Sequence, residues 1–439
     1  MLRQRNGRVV RAFCAVTVGV LGIALAGGTA IAQSGSTTGV TPNSVKLGFI
    51  WSKTGPAAPN FQDAGDACKA RVEAQNAKGG VNGRKIDVTY LDDKFGDNLP
   101  AAQNLVQNEN VFAVVDNSPA AYLAYRYLRD SNVPMVGGGF DGNYYSQKGN
   151  ENIIDAGGNG SPPPRGIIFT NGTDVAKKLG ATKMASVGYG VSPSSSGVAK
   201  DTQTYAAPAS GLKPVYLNTA VDFGSTDVGP VVLGIKNSGA DAVYLPLDGN
   251  TNLAIAQGLK QNGVPMKAVL MASGYGQAML DSPITKTLDS TDVVSQIYKP
   301  AELASDPAVK AFRADLKKYG GITGVPDYGA YTGYISCDLA ITGLQQAGKK
   351  LTRQGFIDGL HQLGTYKAAD LTCQPLDISL KNFGKTPTRS CQYFVTFKNG
   401  KFVVMNKGKP IFGKLVGDPE LIKANASGEA ADVTTTSTP

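Results

Sequence analysis

The sequence predicts an α/β protein built from two doubly wound parallel-sheet lobes, on three observations. Short β-branched apolar runs alternate with helix-period stretches from residue 45 onward. The alternation starts afresh after a Gly- and Pro-rich stretch at 157–164. At 439 residues, with 42% hydrophobic and 18% charged side chains, the chain suits two packed cores and excludes a disordered polymer.

Each element follows from local pattern. Arg3, Arg5, Arg8 and Arg11 precede an uncharged apolar run at 13–26, and Ala30-Ile31-Ala32 supplies a small-residue cleavage site. Residues 1–32 therefore read as a secretory signal peptide cleaved after Ala32, which places the mature chain in the periplasm or outside the cell. Residues 33–43 read as a disordered linker. The first series has strands at 45–51, 85–91, 111–115 and 133–136, with helices at 63–77, 99–108 and 119–130. The second has strands at 184–189, 214–218, 242–247 and 268–271. Its helices fall at 174–179, 197–207, 228–237, 252–261 and 276–280. Strands alternating with helices imply right-handed βαβ units and parallel sheets. Helices at 307–319, 328–347 and 352–363 follow. A hairpin over 391–398 and 402–405 then turns at Asn399-Gly400, whose residue types favour the tight primed turn. These elements divide into lobe 1 (44–160 and 299–372), lobe 2 (161–298 and 373–415) and a flexible tail (416–439).

Charge argues against nucleic acid. The signal takes four arginines and no acid, so the formal +9 falls to +5, and the remaining basic residues are dispersed. Four cysteines remain in the exported chain, which suggests disulfides. Cys373 and Cys391 flank a turn-rich loop and make the favoured pair. Cys68 and Cys337 fall on predicted helices and either pair by elimination or stay as two buried thiols. With no C-x-x-C and a single histidine, His361, read as a surface helix residue, neither a metal site nor a haem site is expected, and no cofactor.

In open parallel sheets, ligands bind beyond the carboxyl ends of the strands. The residues there include Ser52, Thr54, Asn117, Ser118 and Gly137–Gly139 in the first series, and Ser192, Ser194, Ser195, Asp248, Asn250, Ser273 and Tyr275 in the second. They offer hydrogen bonds without a reactive group. At Asp116-Asn117-Ser118-Pro119 a strand ends, Asn117 or Ser118 caps, and Pro119 suits the first position of a helix whose free N–H groups would face a ligand carboxylate. Gly137–Gly142 contains a formal G-x-G-x-x-G, but no amphipathic helix follows it, so a dinucleotide site is not expected. There is no G-x-S-x-G elbow and no P-loop, and the rim carboxylates Asp141 and Asp248 lie in different lobes. The chain is not expected to be an enzyme.

The run Val-Lys-Leu-Gly-Phe-Ile-Trp-Ser-Lys-Thr-Gly-Pro at 45–56, with Glu73-Ala74-Gln75-Asn76-Ala77-Lys78-Gly79-Gly80-Val81-Asn82-Gly83-Arg84-Lys85, resembles the leucine/isoleucine/valine-binding protein family, the type I periplasmic solute-binding proteins of ABC transporters. The likeness continues through Tyr90-Leu91-Asp92-Asp93, Asn132-Val133-Pro134-Met135-Val136 and the stretch from Tyr334 to Ala340. It implies two lobes joined by a multi-strand hinge, closure on a ligand, and delivery to an ABC transporter permease by a monomer. Carried over by position, Ser118 and Ala120 serve a ligand carboxylate. Gly139 and Asp141 match a small residue followed by a hydroxyl. Phe61 lies near the aromatic that packs on the ligand side chain, and Ser195, Asp248 and Tyr275 fall in the matching second-lobe loops. The chain departs from the pattern at Asp141, where a hydroxyl is usual, and at Ser273-Gly274-Tyr275-Gly276, which lacks the acid that meets an ammonium; Asp248 is the available substitute.

The function expected is therefore an exported solute-binding protein for a branched-chain or related amino acid. A non-amino-acid carboxylate or amide, a ligand-sensing module for a membrane signalling partner, and a secreted enzyme on the same fold are the competing readings.

Overall fold

The computed structural model describes residues 37–138, 144–145, 147–156, 166–225 and 227–427. The expected signal peptide, Gly139, Asp141, most of the glycine motif and the 157–164 loop lie outside them.

The first series begins with β1 (Ser44–Trp51), the single turn α1 (Ala58–Phe61), α2 (Ala64–Asn76), β2 (Lys85–Asp92) and α3 (Asn98–Gln107). It continues with β3 (Ala113–Asp116), α4 (Tyr125–Asp130), β4 (Met135–Gly137) and β5 (Ile153–Asp155). The strands form one parallel sheet in the order β2-β1-β3-β4-β5. β3 is buried along its whole length, as a strand covered on both faces must be.

The second series runs through β6 (Ile167–Phe169), α5 (Asn171–Lys178), β7 (Lys183–Tyr189), α6 (Pro193–Asp201), a π-helical turn at Thr202–Ala206, and α7 (Ala207–Ala209). Then come β8 (Lys213–Val221), α8 (Gly229–Ser238), β9 (Ala242–Leu245), α9 (Gly249–Gln261), β10 (Ala268–Met271), α10 (Gln277–Asp281) and β11 (Asp292–Gln296). The chain returns to the first lobe for α11 (Pro307–Asp315), α12 (Tyr328–Ala347) and α13 (Arg353–Leu363), followed by the small antiparallel pair β12 (Thr365–Tyr366) and β13 (Leu376–Asp377). It ends with β14 (Arg389–Lys398), β15 (Lys401–Val404), β16 (Ile411–Gly417) and α14 (Pro419–Ser427). The second sheet has the order β6-β16-β14-β11-β10-β9-β7-β8, with β15 paired to β14. It is parallel from β8 to β11 and antiparallel beyond, where the late hairpin joins it. Asn399 and Gly400 both take positive φ, 53° and 69°, as the two-residue turn demands.

Two disulfides form. Cys68–Cys337 ties α2 to α12 beside the ion pair of Arg71 with Asp338 at 2.7 Å, and Cys373–Cys391 ties the last crossover to β14. Two crossover segments also pair with each other, Tyr298 bridging Thr372 and Lys299 N–H donating to Leu371 O at 2.7 Å.

Several expectations are corrected. Residues 119–130 do not form one helix: a 3-10 turn at Ala121–Leu123 precedes α4. The N–H of Ser118 donates to Asp116 Oδ1 and that of Ala120 to Ser118 Oγ, so the donors a helix would have presented are spent in a tight turn. The 197–207 helix widens into its π turn just before Pro208, which has no N–H for the Thr204 carbonyl and crowds it. Residues 37–43 are not a loose linker, since Thr37 Oγ1 donates to Leu351 O and Val40 bridges Val45. The described part of the tail folds as α14, capped by Asp418 and held by Asn425 at both backbone groups of Thr386. His361 is buried, with its ring nitrogens 2.8 Å from the carbonyls of Ile378 and Glu151, because the last turn of α13 is wedged between those two segments.

Candidate functional site

The strand order reverses between β1 and β3 in the first sheet and between β7 and β9 in the second. Those carboxyl ends face a shared cavity of about 280 Å³, near the lower bound for small-molecule sites. Lobe 1 contributes Ala57, Asn60, Phe61, Phe95, Pro119 and Tyr328. Phe61 closes α1 and meets Tyr328 edge to face, with ring centroids 5.8 Å apart. Gly329, one residue on, sits so close to the Phe61 backbone that a Cβ there would lie 2.6 Å from its Cα. Glycine lets α12 press Phe61 into the cleft.

Lobe 2 contributes one face of its sheet. Tyr244 and Pro246, Leu270 and Ala272, Ser295 and Ile297, and Ser390, Gln392 and Phe394 line the cavity at every second position of β9, β10, β11 and β14 or their extensions. Period-2 alternation places each set on one side. The opposite wall is Asn171, Gly172 and Thr173 of α5 with Val198, Thr202 and Ala206 of α6 and the π turn. The cavity therefore extends from the cleft down between sheet and helices.

Of the residues singled out by sequence, Phe61, Pro119, Ser192, Ser194, Ser195, Asp248 and Ser273 line this cavity. Ser195 Oγ accepts from Tyr189 N–H at 2.9 Å and donates to Pro246 O at 2.5 Å, so it braces the rim. Asp248 caps α9: Oδ1 accepts from the N–H groups of Asn250 and Thr251, and Oδ2 from the hydroxyls of Thr251 and Tyr189. Burial first, then the Asp248 charge, pushes the Tyr189 phenol up, so that hydroxyl keeps its proton and donates. Asn117, Ser118 and Ala120 are fully buried behind the rim. Asn117 Nδ2 donates to Thr332 Oγ1 at 2.8 Å, and Pro119 is the residue of this turn that reaches the cavity. Tyr275 is not brought to the cavity. Its hydroxyl donates to Glu302 Oε2 at 2.7 Å and accepts from Ala301 N–H at 2.8 Å, beside the crossover. Gly139 and Asp141 lie outside the described residues.

Sequence reasoning missed Phe95, Phe223, Tyr189, Tyr244 and the π turn. Phe95 and Phe223 sit in turns, where an aromatic followed directly by glycine, in Phe95-Gly96-Asp97 and Asp222-Phe223-Gly224, was the available signal. Pro208 inside an otherwise helical run was the signal for the π turn.

Among the described lining residues Asp248 is the sole charged one, and both its oxygens are engaged. The rest are aromatic, aliphatic, hydroxyl or amide side chains. Such a surface can enclose an apolar body and offer hydrogen bonds to one polar group.

The comparisons agree with this architecture. Leu/Ile/Val-binding protein homolog 7 of Brucella abortus (strain 2308) is 25% identical over 312 residues, 69% of this chain and 77% of the relative. A fatty acid ABC transporter substrate-binding protein from Thermomonospora curvata superposes with TM-score 0.68 at 20% identity, covering 84% of this chain and 93% of that one. The branched-chain amino acid transporter substrate-binding protein of Streptococcus pneumoniae, in complex with isoleucine, superposes at 0.65 with 19% identity, covering 84% and 100%. The family model for the periplasmic binding protein matches residues 44–401, and the chain belongs to that family.

Proposed function

We propose that this chain is an extracytoplasmic solute-binding protein that closes on a small organic carboxylate with a largely apolar body and delivers it to an ABC transporter permease. The observation that carries the ligand class is the cavity wall, which is aromatic and aliphatic with one carboxylate already committed. A zwitterionic amino acid needs an acceptor for its ammonium, and burying that charge unmet costs several kcal/mol. Asp248 already receives four donors. A carboxylate without an ammonium asks only for donors, and Asn60 lines the lobe-1 side of the mouth.

The named likenesses support both an acyl ligand and a branched-chain amino acid. The second reading requires Tyr189 or Thr251 to release Asp248. Thermal shift on protein unfolded, stripped and refolded separates them, using octanoate, phenylpropanoate, isoleucine and leucine. A ligand at a hundred times its Kd adds about 2.7 kcal/mol. Stabilisation by the two plain carboxylates and not by the amino acids is expected. Stabilisation by isoleucine alone, or by none of the four, defeats the reading.

A further inference from the structure

We propose that the inner half of the cavity, between the second sheet and the α5–α6 layer, is a tail subsite that takes the apolar end of an elongated ligand into lobe 2, while the polar end stays in the cleft. This deepens the carboxylate reading above and rests on it.

The first ground is position. Tyr244 stands inside β9, four residues before the rim residue Asp248 that caps α9, a span of at most about 13 Å for extended chain. A ligand confined to the cleft between the lobes would not reach it. The second is what lines that depth. A sheet-and-helix layer normally packs to crystal density. Here the facing positions Ala272 and Ser295 on the sheet and Gly172 and Ala206 on the helices are small, and the space between them stays open. Empty apolar volume destabilises a fold, so its persistence in the middle of a core layer points to an occupant.

The third ground is Tyr244 itself. It lies on β9, between β7 and β10, where neighbouring strand residues are fully buried, yet it keeps accessible surface on the cavity side, as do Pro246 and Asp248 on the same face. Its hydroxyl has no hydrogen-bond partner among the described residues. Burial pushes its pKa up to about 12, so the group stays neutral and can close the inner end by donating or accepting one hydrogen bond. The π turn at Thr202–Ala206 supplies the last piece. A wider helical turn sets Thr202 and Ala206 on the cavity wall, and such turns recur at functional sites.

Chain length tests this on the refolded, stripped protein by titration calorimetry with butanoate, hexanoate and octanoate. Each added methylene that enters the subsite should tighten binding roughly fourfold. Gly172→Leu plugs the inner half, because a Cβ at Gly172 would already stand 3.6 Å from the Tyr244 ring and 3.8 Å from Leu270 Cδ1. It should weaken octanoate at least tenfold more than it weakens butanoate. Ala206→Leu, from the other end of the helical wall, should do the same if Gly172→Leu does not fold. If butanoate binds the wild type and length adds nothing, or if a folded plug variant weakens both acids equally, the tail subsite is wrong and the carboxylate reading stands. If none of the acids binds the wild type, the carboxylate reading itself has failed.

Discussion

Phe95 of the first lobe stacks on Phe223 of the second, with ring centroids 5.9 Å apart and planes 21° from parallel. Both rings line the cavity, and Tyr189 braces Phe223 from the lobe-2 side at 4.9 Å. Phe95 holds a φ of 75°, an uncommon state for a bulky residue. The Lys94 and Phe95 N–H groups donate to Asp92 Oδ1 and Asp93 Oδ1, each at 3.0 Å, and these bonds hold the turn in place. The stack thus joins the lobes at the cavity itself.

Phe223→Ala should therefore weaken ligand retention. An aromatic pair contributes about 0.5–1.5 kcal/mol beyond its area, so Kd should rise about two- to tenfold, chiefly through dissociation. Stopped-flow release of bound ligand measures this. An unchanged off-rate means the stack is incidental to closure.

Asp116 sets a pH dependence. Burial, then the neighbouring Asp93 charge, holds its carboxyl well above the usual carboxylate range, against hydrogen bonds from Ser118 N–H and Asn98 that lower it. The folded state thus binds this proton more tightly than the unfolded chain. Its stabilising contribution is complete below the ordinary carboxylate value and is lost as pH rises through the raised folded value. Among the described residues Asp116 Oδ2 and Asn98 Oδ1 are both buried without partners, so an amide at 116 offers the missing donor. Asp116→Asn should raise stability at neutral pH by about 1–3 kcal/mol and flatten the decline above the carboxylate range. Urea melts across pH 4 to 8 check it, and a destabilised Asn variant with an unchanged slope would falsify it.

The two disulfides should differ in weight. Cys68–Cys337 closes a separation of 269 residues and Cys373–Cys391 one of 18. Loop-closure entropy assigns about 3 kcal/mol to the short closure and more than about 4.7 kcal/mol to the long one. Replacing both cysteines of the α2–α12 pair by serine should lower the Tm more than replacing both of the other pair. Equal losses in calorimetric scans argue against this ordering.

The sequence pattern made much of this fold legible where periodicity was strong. The helix at Tyr328–Ala347 and the strand at Ala268–Met271 fall at the expected bounds. Boundaries slipped where side chains compete for backbone donors, as at Ser118, or where a proline perturbs a helix, as at Pro208. The cavity was largely illegible for a different reason. Tyr244, Leu270 and Phe394 read as buried strand residues, and an apolar residue facing a void has the same pattern as one facing a helix. Rim polarity was legible, but Asn117 and Ser118 direct their hydrogen bonds into the turn and α12, which only the folded chain reveals.

The last relationship separates stability from binding. A Cβ on Gly333 of α12 would collide with the Ala64 carbonyl at the start of α2, and a Cβ on Gly343 with the Phe356 ring of α13. Both Ala variants overpack the helical layer and should cost about 1–3 kcal/mol. They differ in what must move. Ala64 is three residues from Phe61, so relief at Gly333 displaces α1 and the aromatic that lines the cavity. Phe356 packs on Phe112 at the other end of α12, away from the lining. Gly333→Ala should therefore lose both melting temperature and ligand affinity, and Gly343→Ala melting temperature alone. If calorimetric titration finds affinity falling equally in both, Phe61 is not positioned through this helix contact.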